Sequence, residues 1–126
     1  MVQPNDVRRI AMSLPGAEDA SSPERLAFEV GGKGFAWSWL ERTEPRGPRR
    51  PRLDVLAVRC PREEKEMLAA LLDAAFVDDP HYRGFPAVVF RLAAVDEARL
   101  ALLVETGWRC MARTAAVKAF DAARKG

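Results

Sequence analysis

The chain has 126 residues, 48% hydrophobic and 30% charged, with nine prolines, two cysteines and one histidine. That length suits one domain over residues 1–126, burying roughly two-thirds of its unfolded surface without disulfide or metal staples. Twenty Lys and Arg against eighteen Asp and Glu leave +2, too small a total to declare a nucleic-acid partner on its own. No apolar run approaches the roughly 18–20 residues that span a bilayer.

Val7, Ile10, Ala11 and Leu14 repeat at helical spacing behind Pro4-Asn5-Asp6. The spacing predicts a first helix over about 5–13, capped by Asn5 or Asp6 and stopped by Pro15-Gly16. Leu26–Val30 and Lys33–Leu40 flank Gly31-Gly32, the pattern of a tight hairpin. Strict alternation in the second strand would put Phe35, Trp37 and Trp39 on one aromatic face. That face is read as core, with base stacking as the alternative if it is open.

Arg42–Arg52 follows as a connection with five arginines against one glutamate and prolines at 45, 48 and 51. Leu53–Arg59 resumes β-branched character, so this connection is the tip of a second, longer hairpin. Pro61 and acids 63, 64 and 66 open a helix over about 61–74 with Met67, Leu68, Leu71 and Leu72 as its stripe. Phe76-Val77 suggests a short strand and Ala87–Leu92 another. Asp96 caps a helix carrying Leu100, Leu103, Val104, Trp108 and Met111, with Gly107 as a candidate interruption, and a last helix covers about Thr114–Arg124. Hairpin-linked strands among such helices define the α+β class: one antiparallel sheet with helices packed on one face, a two-layer sandwich.

Charge is local. Segment 42–52 is strongly basic, whereas segment 61–82 has two cations against six acids. In a polyproline II conformation, with about 3.1 Å rise and three residues per turn, Arg46, Arg49 and Arg52 would line one edge roughly 9 Å apart. Such a row suits phosphates, with Arg50 pointing elsewhere and Lys33 supplying a second basic tip. A solvated loop that blunts edge pairing explains the same residues. The segment also fits the R-x-x-P-x-x-P peptide pattern.

The lone Cys60 and Cys110 have no clustered partners, which argues against structural zinc and a disulfide framework and fits a reducing cytoplasm. His81 lies beside Asp78, Asp79 and Tyr82 but lacks the nucleophile or further ligands that catalysis or a metal needs, so a turn histidine is the simpler reading. Gly31-Gly-Lys-Gly34 lacks the spacing of a phosphate loop and opens a strand. No cofactor, no metal and no enzymatic activity are therefore expected; a monomer is compatible with the sequence, which does not set the oligomeric state.

Ser13-Leu-Pro-Gly-Ala-Glu18, Phe28-Glu-Val-Gly-Gly-Lys-Gly-Phe-Ala-Trp37, Asp79-Pro-His-Tyr-Arg-Gly-Phe-Pro-Ala-Val88 and Trp108-Arg109 occur in that order. Together they resemble the MmcQ/YjbR family, formerly a domain of unknown function. The resemblance implies a fold similar to the frataxin-like CyaY arrangement, and a DNA-binding role resting on a proposed double-wing motif. After His81 one branch of that family has Asn-Lys and then tryptophan, where this chain has Arg83-Gly-Phe85. Two functional expectations follow: DNA binding through Lys33, Arg46, Arg49, Arg50 and Arg52, or a non-catalytic binding pocket formed by His81, Tyr82, Arg83, Trp108 and Arg109.

Overall fold

The computed structural model describes residues 2–42 and 44–125. Helix α1 (Pro4–Met12) precedes strands β1 (Ala17–Asp19), β2 (Ala27–Val30), β3 (Lys33–Glu41) and β4 (Arg50–Arg59). Helix α2 (Lys65–Leu72), strand β5 (Ala87–Arg91) and helices α3 (Glu97–Met111) and α4 (Thr114–Lys125) follow. The strands form one antiparallel meander in the order β1-β2-β3-β4-β5. Each strand pairs with its chain neighbour, as short hairpin connections favour.

The first helix starts earlier than its sequence suggests. Pro4 occupies the first turn, where its missing N–H costs nothing, and the Asp6 carboxylate accepts the Gln3 N–H at 2.8 Å. Asp6 is thus an acid within the first turn rather than the cap. At the β2–β3 turn, Gly31 and Gly32 have φ of +59° and +79°, a left-handed pair that glycine adopts without a Cβ penalty.

The helices pack against one face. Phe28, Ala36, Leu56, Val58, Val88 and Phe90 from the sheet meet Val7, Ile10, Leu100, Leu103, Val104 and Trp108 in one buried cluster. The opposite face carries a smaller cluster, Val55, Ala57 and Val89, covered by Trp37, Trp39, Val77 and Tyr82. Residues 76–86 therefore act as the lid of the helix-free face. Phe76-Val77 makes only a bridge to Phe90 and a Val77 N–H bond to the Val89 carbonyl at 2.9 Å, short of a full strand.

Phe35 departs from the expected alternation. Phe28 faces Ala36 while Glu29 faces Gly34, so Phe35 is an extra residue, and a bulge of this kind re-aims its side chain. Phe35 is fully buried in the helix-side core, whereas Trp37 and Trp39 stand half-buried on the other face. The three rings therefore do not share one aromatic face.

Ser38 is the buried polar side chain of the described core. Its Oγ accepts the Leu26 N–H at 2.8 Å, while its own N–H donates to the Leu26 carbonyl at 2.9 Å. Ser38→Ala strands the Leu26 donor away from water, and should destabilise the protein by about 1–3 kcal/mol in urea unfolding. A change within a few tenths would mean that Leu26 finds another acceptor.

Candidate functional site

Beyond Ser38 the β3–β4 ladder slips. Ser38 faces Leu56 but Trp39 faces Arg52, so Leu53, Asp54 and Val55 of β4 have no partner in β3. Within β4, the pairing with β5 covers Val55–Arg59. The hairpin end, 39–41 against 50–52, therefore projects past β5, and Pro51 sits where β4 has a single neighbour, as a proline in a strand must. Because Arg50, Pro51 and Arg52 belong to the ladder, they alternate with period two, and the three-per-turn row of Arg46, Arg49 and Arg52 does not form. Ladder pairing satisfies backbone groups that polyproline II leaves to water.

The arginines of this hairpin divide into two kinds. Arg52 grips Asp54 with Nε and Nη2 at 2.8 and 2.6 Å, and its Nη1 reaches both Glu41 carboxylate oxygens at 3.1 Å. Hydrogen bonding to Asp54 first, and to Glu41 second, raises the guanidinium above its ordinary pKa. Arg49 turns inward, donating to the Leu40 carbonyl at 2.9 Å with Asp79 at 3.8 Å. Arg46 and Arg50 are exposed and have no ion pair among the described residues. Arg42 is also exposed, and donates to the Pro45 carbonyl at 3.3 Å.

Asp79 ties this hairpin to the lid of the helix-free face. It accepts Trp39 Nε1 at 2.8 Å and the His81 N–H at 2.9 Å, capping the single 3-10 turn Pro80–Tyr82. Burial pushes its carboxyl up, but the hydrogen bonds from Trp39 and His81 and the charge of Arg49 outweigh it, so the pKa lies below the usual carboxylate value. Trp37 Nε1 donates to the Tyr82 hydroxyl at 3.0 Å, and Lys65 holds the Tyr82 and Phe85 carbonyls. Sequence reasoning noticed Asp79 only as a neighbour of His81; the three-residue Asp-Pro-His capping pattern was its signal.

The other expected site residues lie apart. Lys33 begins β3 at the end opposite the arginine hairpin, eight residue steps or roughly 27 Å from Glu41, so the two basic tips are not one patch. His81, Tyr82 and Arg83 sit on the helix-free face. His81 and Arg83 are exposed, and Arg83 pairs with Asp78 at 3.1 Å. Trp108 and Arg109 sit on α3, on the other side of the sheet. Trp108 is fully buried and donates through Nε1 to the Pro15 carbonyl at 2.9 Å. Arg109 pairs with Glu105 of its own helix at 3.0 Å and joins α3 to α4 through Asp121 at 2.6 Å. The five do not line one pocket, because α3 covers one face and the 76–86 segment covers the other. The space beside Tyr82 and Arg83 holds about 30 Å³, room for one water rather than a metabolite.

The described residues contain no group of three or more His, Cys, Asp and Glu placed to hold a metal ion. Cys60 is buried, and desolvation pushes its thiol up to about 11, so it offers little thiolate near neutrality. No described helix is long and apolar enough to cross a membrane.

Fold and site define a two-layer α+β protein: a five-stranded antiparallel meander with helices on one side and a projecting basic hairpin. A crystal structure of Deinococcus radiodurans protein DR2400, whose domain is described as DUF419, has the same fold, with a TM-score of 0.61 and 21% identity over 86% of this chain and 77% of that one. Uncharacterized proteins of Mycobacterium bovis and Mycobacterium tuberculosis are 34% identical over 123 residues, covering 92% of this chain and 93% of theirs. The family description YjbR matches residues 12–110. The chain belongs to the YjbR family.

Proposed function

We propose that this protein binds nucleic acid without catalysis, contacting backbone phosphates through the exposed guanidinium groups of Arg46 and Arg50. The carrying observation is the division of labour within the β3–β4 hairpin. Arg49 and Arg52 are consumed in holding the hairpin's shape, through Leu40, Asp79, Glu41 and Asp54. Arg46 and Arg50 stay exposed at its end, with no ion pair among the described residues. A guanidinium already paired to a carboxylate must give up that partner to meet a phosphate; an unpaired one need not. The proposed DNA-binding role of the family is consistent with a projecting basic hairpin of this kind.

Contacts to the backbone carry no sequence information, so binding should be sequence-tolerant and salt-sensitive. Each phosphate neutralised on duplex DNA contributes about −0.9 to the slope of log K against log salt. Changing Arg46 and Arg50 together to alanine should flatten that slope by at most about 1.8, measured by fluorescence anisotropy on a labelled duplex. Arg52→Ala should reduce affinity mainly by loosening the hairpin, with a smaller change in slope. A slope identical in wild type and the double variant removes the hairpin from the binding surface.

A further inference from the structure

We propose that a cleft remote from the arginine hairpin binds a small organic anion, a carboxylate or phosphate head on an apolar body. Three segments distant in sequence build it: the turn after α1, the β2–β3 turn and the α3–α4 junction. This open cleft has a volume of about 460 Å³, within the roughly 300–1,000 Å³ range of small-molecule sites. Pro15, Val30, Met111 and Ala116 supply an apolar lining, and among the described residues Lys33 and Arg113 are its charged groups, with no carboxylate lining it. Both cations are exposed, and neither forms an ion pair among the described residues.

The walls are held from outside the cleft. Trp108 fixes the Pro15 carbonyl, and Gly16, at φ +71°, turns the chain into β1. Gly31 has open space where a side chain would begin, so its backbone stays accessible. Helix α4 starts at this edge: the Val117 N–H donates to the Arg113 carbonyl at 3.1 Å, and the first N–H groups of any α-helix have no partner within the helix itself. Two cations and a positive helix end without a facing carboxylate favour an anionic head, and the apolar lining favours a hydrophobic body. A nucleic-acid backbone supplies the charge but not the apolar body, so this site is separate from the hairpin's proposed role.

Octanoate is the probe, titrated at constant ionic strength into protein carrying ¹³C-methyl methionine, with Met111 as the reporter. The expected result is a saturable shift at Met111 and at the Gly31 and Ala116 amides, with acetate at least about ten-fold weaker because it lacks the apolar body. Lys33→Gln and Arg113→Gln should each weaken octanoate roughly ten-fold, the usual scale for a charge-assisted hydrogen bond. Both positions are exposed, so the variants should fold normally, as an unchanged melting temperature will establish. The Arg46 and Arg50 double variant should bind octanoate like wild type whatever its affinity for DNA, which keeps the two proposals distinguishable. Absence of saturable shifts, shifts unaffected by both glutamine variants, or equal binding of octylammonium would each overturn the assignment.

Discussion

Replacing Trp108 by alanine should destabilise the protein by roughly 3–5 kcal/mol, the range for deleting a buried aromatic ring. The indole is fully buried in the helix-side core, its ring centroid 5.1 Å from that of Phe120, and its Nε1 bridges α3 to the Pro15 carbonyl 93 residues away. Alanine removes the packing and the tie together. Trp108→Phe separates them: most of the apolar area remains, the Pro15 carbonyl loses its donor, and the expected loss falls to about 1–3 kcal/mol. Urea unfolding measures both as a shift in midpoint at constant slope. A loss below about 1 kcal/mol for the alanine variant would show that the α3 face can collapse around the gap.

Gly107→Ala should destabilise as well, although helix propensity alone predicts a gain of about 1 kcal/mol. The sequence marks Gly107 as a candidate interruption of α3, yet the helix runs unbroken from Glu97 to Met111. Its glycine serves a close approach instead. A Cβ there would lie 2.5 Å from the Phe35 carbonyl oxygen and 3.4 Å from the backbone N and O of Arg59. These are main-chain atoms of β3 and β4, so no side chain can rotate away and the helix must lift from the sheet. Overpacking of this kind costs about 1–3 kcal/mol, occasionally more, which exceeds the propensity gain. A thermal melt in which the alanine variant is as stable as wild type, or more so, would refute this seating of α3.

Much of the fold is legible in local pattern. The periodic stripe of Leu100, Leu103, Val104 and Trp108 does face the core, and Gly31-Gly32 does make the hairpin turn. The last helix begins at Thr114, where its pattern starts. Strand β1 has no local signature, because Ala-Glu-Asp is short and largely exposed and its strand character comes from pairing with β2. Met67 and Leu71, read as part of an apolar stripe, remain about half exposed while Leu68 and Leu72 are buried. The row of Met67 and Leu71 lies about 100° around the helix from that of Leu68 and Leu72, and the latter row faces the core.

The candidate sites were less legible for a different reason. A run of arginines can be counted in the sequence, but whether each charge is available depends on partners that the fold supplies. Glu41 is near in sequence and also across the ladder from the arginine strand; Asp79 is thirty residues beyond Arg49. Their positions convert two expected phosphate ligands into ties that hold the hairpin. The anion cleft has no local signature at all: Pro15, Lys33 and Arg113 belong to three segments far apart in sequence that only the folded chain brings together.

By itself the amino-acid sequence determined an α+β domain with helical stripes, a glycine hairpin and a localised positive charge, because steric preference and side-chain periodicity act over a few residues. The tertiary structure alone decided which way Phe35 points, which arginines remain unpaired and which turns enclose a cavity. Those outcomes depend on a bulge set by strand register, on charges brought close by pairing, and on helices seated against the sheet, all of them contacts between residues far apart in the chain.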